Sequence, residues 1–319
     1  MSRISRRRFL SGLGALSTAA VASATASTWL KLGTGTAMTL APFDTPNSAA
    51  RAIRLGYAAM TWGSDGRKAI EDVSTVGFRG IQLRADAITT FEPAELRDLL
   101  EQHGLTFVAL SSGDIHLDPA VEADDIALHA KNAKFVHDAG GLYLQVLDKP
   151  PKREITAADY KRLGYLLTEV GKRTADLGVP LGYHNHMGSL SERPENLDRI
   201  LEAADPQYAK LELDVAHYVQ GGGDPVKAID KYHDRLLFVH LKDVRDVDPN
   251  TPGVKGSYQW VELGRGRVDL PAAVHALERN HFKGWAVVEL DRVPDKGRTP
   301  KESAEINKKY LEGTLKLTL

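Results

Sequence analysis

VPLGYHNHMG (residues 179–188), AKLELDVAHYVQ (209–220), RLLFVHLKDV (235–244) and KGWAVVELDR (283–292) are the four stretches that decide the fold. Each starts as a short apolar run and finishes on residues that bind metals: His184 and His186, Asp214 and His217, His240, and Glu289. A short buried strand has no reason to end on charge unless that charge faces a site. One such residue is commonplace in any core. Four strands in succession doing the same place the polar ends at one mouth of a parallel sheet, as in an α/β barrel with a metal site.

Working outward, the same alternation continues to the start of the globular part. Strands are expected at residues 53–60, 80–83, 106–111, 141–147, 180–184, 210–214, 236–240 and 284–289. Amphipathic helical stretches include 93–102, 126–139, 157–177, 193–203, 225–232 and 270–278. Several open on a first-turn proline (Pro93, Pro225, Pro271) and several end on glycine or asparagine (Gly77, Gly104, Gly178, Asn280). Eight strands, each followed by a helix, predict a (β/α)8 TIM barrel spanning residues 50–319. An open doubly wound sheet would carry a glycine-rich phosphate turn after its first strand. Here that strand runs into Ala59-Met60-Thr61-Trp62-Gly63.

Composition narrows the chemistry. The 319 residues are 42% hydrophobic and 26% charged, with a formal charge of −1, which gives nucleic acid no bulk electrostatic handle. There is no cysteine, so any metal must sit on nitrogen and oxygen ligands. Residues 1–40 read differently. Ser5-Arg6-Arg7-Arg8-Phe9-Leu10 before a small-residue, weakly apolar stretch resembles a twin-arginine (Tat) export signal followed by a linker. Ala24-Thr25-Ala26 offers a cleavage site, and Thr36-Ala37 is a second choice. The expectation is a periplasmic or secreted protein that meets the Tat translocase during export and makes no stable membrane insertion. Assembly into a homo-oligomer is left open.

In Phe238-Val239-His240-Leu241-Lys242, alternation puts Phe238, His240 and Lys242 on one face and Val239 and Leu241 on the other. The His/Asp/Glu mixture suits one divalent ion: Mn²⁺, Co²⁺, Zn²⁺ or Mg²⁺, with the carboxylates tilting the choice to Mn²⁺. Trp62 and Gln145 end strands one and four, which puts an aromatic and an amide at the same mouth. Arg84, Asp114 and His116 are weaker candidates at strands two and three. Arg265 and Arg267 could meet an anionic substrate, although their Gly-x-Gly setting favours a loop role.

These motifs carry a family resemblance. The Asp214-x-x-His217 step, His240-Leu241-Lys242-Asp243, Gly264-Arg265-Gly266-Arg267-Val268-Asp269 and the terminal Val287-Val288-Glu289 resemble the xylose isomerase-like TIM barrels. Within that group of sugar isomerases, epimerases and inosose dehydratases, the pattern looks most like the inosose dehydratase-like members. The resemblance implies that Asp214, His240 and Glu289 bind a divalent metal. Many relatives add a glutamate at the end of strand five, whereas this chain has His184 there. The fourth ligand is then His184, or His186, or Glu192.

The implied chemistry is isomerisation, epimerisation or dehydration of a sugar, keto-sugar or inosose through an enediolate-type intermediate. His186, His217 and Lys242 are the catalytic candidates, with Asp243 a further choice. Trp62, Gln145, His186 and His217 are the substrate-binding candidates. Two alternatives stand beside this reading: a 3-keto-glycoside lyase or hydratase working by β-elimination, and a periplasmic sugar-binding barrel without catalysis.

Overall fold

A computed structural model describes residues 53–248, 250 and 256–319. The expected export signal and linker of residues 1–40 lie outside them. Among the described residues, no helix is long and apolar enough to cross a membrane.

Among the described residues, ten strands form: β1 (Arg54–Ala58), β2 (Gly80–Arg84), β3 (Thr106–His116), β4 (Tyr143–Lys149), β5 (Leu181–His184), β6 (Ala209–Asp214), β7 (Leu236–Leu241), β8 (Asp243–Asp246), β9 (Tyr258–Val261) and β10 (Trp285–Val288). β1 to β7 and β10 close a parallel barrel, with β10 joining β7 to β1. They correspond to the eight strands expected from the apolar runs. The register sets Ser111 beside Gln145, His184 beside Glu212, and Asp214 beside His240. The ends of β3 to β7 therefore share one rim.

Helices α1 (Gly66–Val76), α2 (Ala87–Thr90), α3 (Pro93–Gln102), α4 (Glu122–Asp138), α5 (Ala157–Ala175), α6 (Pro194–Ala203), α7 (Val215–Gln220), α8 (Pro225–Tyr232), α9 (Leu270–Arg279) and α10 (Pro300–Gly313) intervene or follow. Local chemistry explains their starts. Thr156 and Thr299 close capping boxes with Asp159 and Glu302, and Pro93, Pro194, Pro225 and Pro300 occupy first-turn positions.

The barrel interior is filled from below by Ala58, Val108, Ala109, Phe238, Trp285 and Val287. Gly80 admits this plug, because a Cβ there would lie 2.4 Å from the Trp285 ring. Above it the interior turns polar.

Two features depart from the expectation. β3 runs on to His116, with a register shift between Ser111 and Asp114. The second is the antiparallel ribbon β8–β9, inserted between β7 and β10. Its base is gathered by Asp243, whose carboxylate accepts the backbone N–H groups of Val244, Gly264, Gly266 and Val268. Asp243 is thus corrected from proton-transfer candidate to loop organiser. Gly266 is required beside it, since a Cβ would meet Asp243 Oδ1 at 2.2 Å. Arg267 likewise serves the loop, donating to Asp246 and Gln220. Arg265 pairs with Glu262 and Asp295.

Candidate active site

β5, β6, β7 and the end of β10 bring His184, Asp214, His240 and Glu289 together under the barrel mouth, all buried. The local geometry of Asp214 shows how. It ends β6 and caps α7, its Oδ1 accepting the N–H groups of Ala216 and His217 at 2.8 Å each. Asn185 clamps the Asp214 backbone from the neighbouring strand end, accepting its N–H at 2.9 Å and donating to its carbonyl at 3.1 Å. With Oδ1 committed, Oδ2 faces inward and has no hydrogen-bond partner.

His240 is oriented by a chain of amides. The Glu212 carboxylate can only accept, so Gln145 presents Nε2 to it at 3.0 Å. Gln145 Oε1 then takes Nε2 of Gln82 at 3.3 Å, and Gln82 Nε2 also donates to Ser111 Oγ. That leaves Gln82 Oε1 to accept from His240 Nε2 at 2.7 Å. The other His240 nitrogen, Nδ1, therefore faces the carboxylates: Glu212 Oε1 at 3.1 Å, Glu289 Oε2 at 3.2 Å and Asp214 Oδ2 at 3.6 Å.

Four buried atoms here lack a hydrogen-bond partner: His184 Nδ1, Glu212 Oε1, Asp214 Oδ2 and His240 Nδ1. Unpartnered buried polar atoms are costly, and these four converge. His184, Asp214, His217 and Glu289 offer ligand atoms within 4.8 Å of one another, and so do His184, Glu212 and His240. The donor set is nitrogen and carboxylate oxygen, so it fits a divalent cation. Without such an ion, Glu212 and Glu289 hold the His240 proton well above the usual histidine range, although burial opposes the charge.

Lys242 is fully buried and reaches Asp291 at 2.6 Å and Glu289 at 2.9 Å, with Trp260 across its ammonium at 4.6 Å from the ring centre. Burial lowers its pKa, but Asp291, Glu289 and Asp214 outweigh that and keep it charged. Glu289 responds in the opposite sense: burial raises its pKa, and Lys242 with His240 pulls it well below the carboxylate range. His217 is neutral, held well below its ordinary value by burial and then by the Lys242 charge. His186 is lowered by burial and then by the charges of His184 and Lys242. Its Nδ1 donates to the Met187 carbonyl at 2.6 Å, leaving Nε2 as the acceptor.

A cavity of about 240 Å³ opens over this cluster, walled by Arg84, Gln145, His184, His186, Glu289 and Asp291 with Met60 and Leu147. A larger hollow of about 450 Å³ beside α10 is lined by Asp295, Arg298 and other charged side chains. Arg298 pairs there with Glu262 and Asp295, and the groups able to hold a metal ion gather at the smaller cavity instead.

Several expected roles change. Trp62 does not line the cavity. A short 3-10 turn rotates it into the helix layer, where its indole N–H donates to Asp72 at 2.9 Å and its ring packs edge-on to Tyr57. The aromatic at the mouth is Trp260, from the ribbon, 4.4 Å from the His217 ring centre. Gln145 borders the cavity, but both ends of its amide are engaged in the relay. Glu192 accepts the Gly188 N–H. The extension of β3 directs His116 onto Asp125. Two residues went unnoticed in the sequence, Glu212 and Gln82. Alternation in Lys210-Leu211-Glu212-Leu213-Asp214 was the available signal for the first, since Glu212 and Asp214 share a face.

The model of the family described as xylose isomerase-like TIM barrel matches residues 70–312. The chain belongs to this family. Its relatives include the inosose dehydratase of Lacticaseibacillus casei, 27% identical over 298 residues that cover 83% of this chain and 98% of that one. Among solved structures, the IolI protein with a bound zinc atom superposes with a TM-score of 0.69 at 18% identity, covering 82% of this chain and 98% of that one. An L-ribulose 3-epimerase gives 0.69 at 17% identity, covering 83% and 95%. These structures share the fold.

Proposed function

We propose that this chain is a divalent-metal-dependent isomerase, epimerase or dehydratase of a sugar, keto-sugar or inosose. The observation that carries the reading is the convergence of buried, unpartnered nitrogen and carboxylate atoms at the mouth of a barrel whose relatives transform such substrates. His184, Asp214, His240 and Glu289 would hold the ion, with Mn²⁺ first among Mn²⁺, Co²⁺, Zn²⁺ and Mg²⁺. When bound, the ion supplies positive charge that polarises a carbonyl and stabilises negative charge developing beside it, as an enediolate requires.

The chain's own groups divide the remaining work. His186 borders the cavity, is neutral near pH 7, and has its acceptor nitrogen defined by the Met187 carbonyl, so it takes the proton next to the carbonyl. His217 accepts the Met187 N–H on Nδ1 at 3.0 Å, which places its own proton on Nε2. That Nε2 lies 3.1 Å from the Lys242 ammonium, so two donors face each other with no acceptor between them. A substrate oxygen inserted there satisfies both, and Lys242, the charged member of the pair, can then protonate a departing hydroxyl. Trp260 covers this pair from outside.

A cavity of about 240 Å³ suits one sugar or inositol ring. The arginine motif at residues 6–8 supports export by the Tat route. Elemental analysis of protein expressed with its own signal, followed by proton-exchange NMR on keto-sugars and inososes in D₂O, tests the reading. One equivalent of metal and deuterium entering beside a carbonyl are expected. Glu289→Gln should lose both metal and exchange; a variant as active as the parent removes the assignment.

A further inference from the structure

Glu212 is fully buried in the barrel wall two residues before Asp214, and it does not line the cavity above the cluster. Its two oxygens are used differently. Oε2 accepts from Gln145 at 3.0 Å, while Oε1 has no partner and lies 3.1 Å from His240 Nδ1. Asp214 repeats the division, with Oδ1 tied to α7 and Oδ2 bare. On the other side, His184 Nδ1 stands 2.5 Å from Glu212 Oε2, also outside hydrogen-bond geometry.

Ligand atoms that share one ion at about 2.0–2.2 Å lie roughly 3.0–3.6 Å apart, from simple tetrahedral and octahedral geometry. The distances from His240 Nδ1 to the oxygens of Glu212, Glu289 and Asp214, at 3.1, 3.2 and 3.6 Å, fall in that range. A protonated His240 paired with Glu212 is the competing account. It requires the Nδ1–H to be aimed at Glu212, and no hydrogen bond forms between His240 Nδ1 and Glu212 Oε1.

We propose that Glu212 is itself a ligand of the metal centre, replacing from β6 the carboxylate that many relatives supply from the end of strand five, where this chain has His184. The two positions are register partners across β5 and β6, so moving the carboxylate one strand sideways keeps it at the same height on the rim. The ligand charge is kept, and a histidine is added. This inference rests on the metal reading above, and the experiment separates the two.

Protein stripped by chelator is titrated with Mn²⁺ in competition with a fluorescent chelator, and its Co²⁺ form is examined by visible absorption. Glu212→Gln, which preserves size and the Gln145 neighbour, should weaken Mn²⁺ binding by more than about 100-fold, beyond the roughly 10–100-fold cost of losing an outer-shell partner. It should also change the Co²⁺ spectrum. The double variant H184E/E212Q, with the carboxylate on β5, should recover most of the affinity. For the parent protein, anomalous scattering from Mn²⁺-loaded crystals should place the ion within about 2.5 Å of a Glu212 oxygen, a readout independent of whether any variant folds.

If Glu212→Gln binds like the parent while Asp214→Asn and Glu289→Gln do not, the Glu212 assignment fails and the metal reading stands. Weaker binding with an unchanged Co²⁺ spectrum and an ion more than about 3 Å from Glu212 makes Glu212 an orienting residue and overturns the proposal. If none of the three substitutions matters, or the parent takes up no Mn²⁺, the metal reading itself falls.

Discussion

Two clusters of buried histidine sit in the same barrel. Against the extension of β3, His129 of α4 shares its Nδ1 with Ser112 Oγ at 2.7 Å and directs Nε2 to the Asp114 carbonyl at 3.3 Å. Asn132 donates to the same Ser112 hydroxyl at 2.9 Å. Every ring nitrogen there has a partner within the protein. Across the barrel, His184 and His240 are as deeply buried, yet each keeps an unpartnered Nδ1 facing carboxylate oxygens. Burial is common to both, so burial does not mark a site. A closed polar cluster stabilises the fold; an open one is held ready for something the chain does not provide.

The comparison breaks most severely at Asp214. Asp214→Asn keeps the cap on α7 but removes the charge from Oδ2, and turnover should fall by about three orders of magnitude or more along with metal retention. Equal activity in steady-state assays, or metal content at the parent level, would place Asp214 in the closed class. His186→Gln comes next. It should lower kcat by about 10²–10⁴-fold while Mn²⁺ affinity stays within a factor of a few, because His186 takes a proton without being needed as a ligand. Loss of Mn²⁺ binding in this variant would mean that the ligand set includes it.

His129→Leu sharpens the contrast from the other side. Leaving Ser112 and Asn132 without their partner should cost about 2–3 kcal/mol in denaturant unfolding, with Mn²⁺ affinity unchanged. A shift in metal affinity would mean that the two clusters are coupled.

The smallest expected effect concerns Asp148, a buried carboxylate that is fully partnered, by Tyr183 Oη at 2.5 Å and the Leu190 N–H at 2.9 Å. Burial raises its pKa to about 6. The unfolded chain titrates this group near 3.9, so between about pH 4 and pH 6 the native state binds more protons. Its contribution makes stability fall as pH rises through that window and level off above it. Asp148→Asn should remove that slope, seen as a difference in Tm between parent and variant that changes from pH 4 to pH 6 and is constant from pH 7 to pH 8. Parallel Tm curves across the whole range would contradict the raised pKa.

Much of this was legible in the chain itself. Eight apolar runs with helices between them specify the barrel strands, because strand and helix periodicities and first-turn caps are local properties. The polar endings of β5, β6, β7 and β10 pointed to one rim, since all strands of a parallel barrel finish on the same face. Trp62 was misread because a single 3-10 turn after β1 is enough to swing it from the mouth into the helix layer. Trp260 was missed because it reaches the mouth only through an antiparallel ribbon that interrupts the βα alternation. Glu212 was missed for a different reason: alternation puts it on the face of Asp214, but it lies inside the strand, and only strand-end residues were read as facing the mouth.

By itself, then, the sequence determined the strand and helix order, the barrel class and the residue types gathered at its mouth, all consequences of local periodicity and chain direction. Only the tertiary structure decided which atoms are satisfied. Whether an oxygen of Glu212 or a nitrogen of His240 finds a partner depends on Gln82 and Gln145, which arrive from β2 and β4, and on how β6 sets Asp214 beside β7. Hydrogen bonds reach about 3 Å, so that inventory exists only once the barrel has closed and brought them within reach.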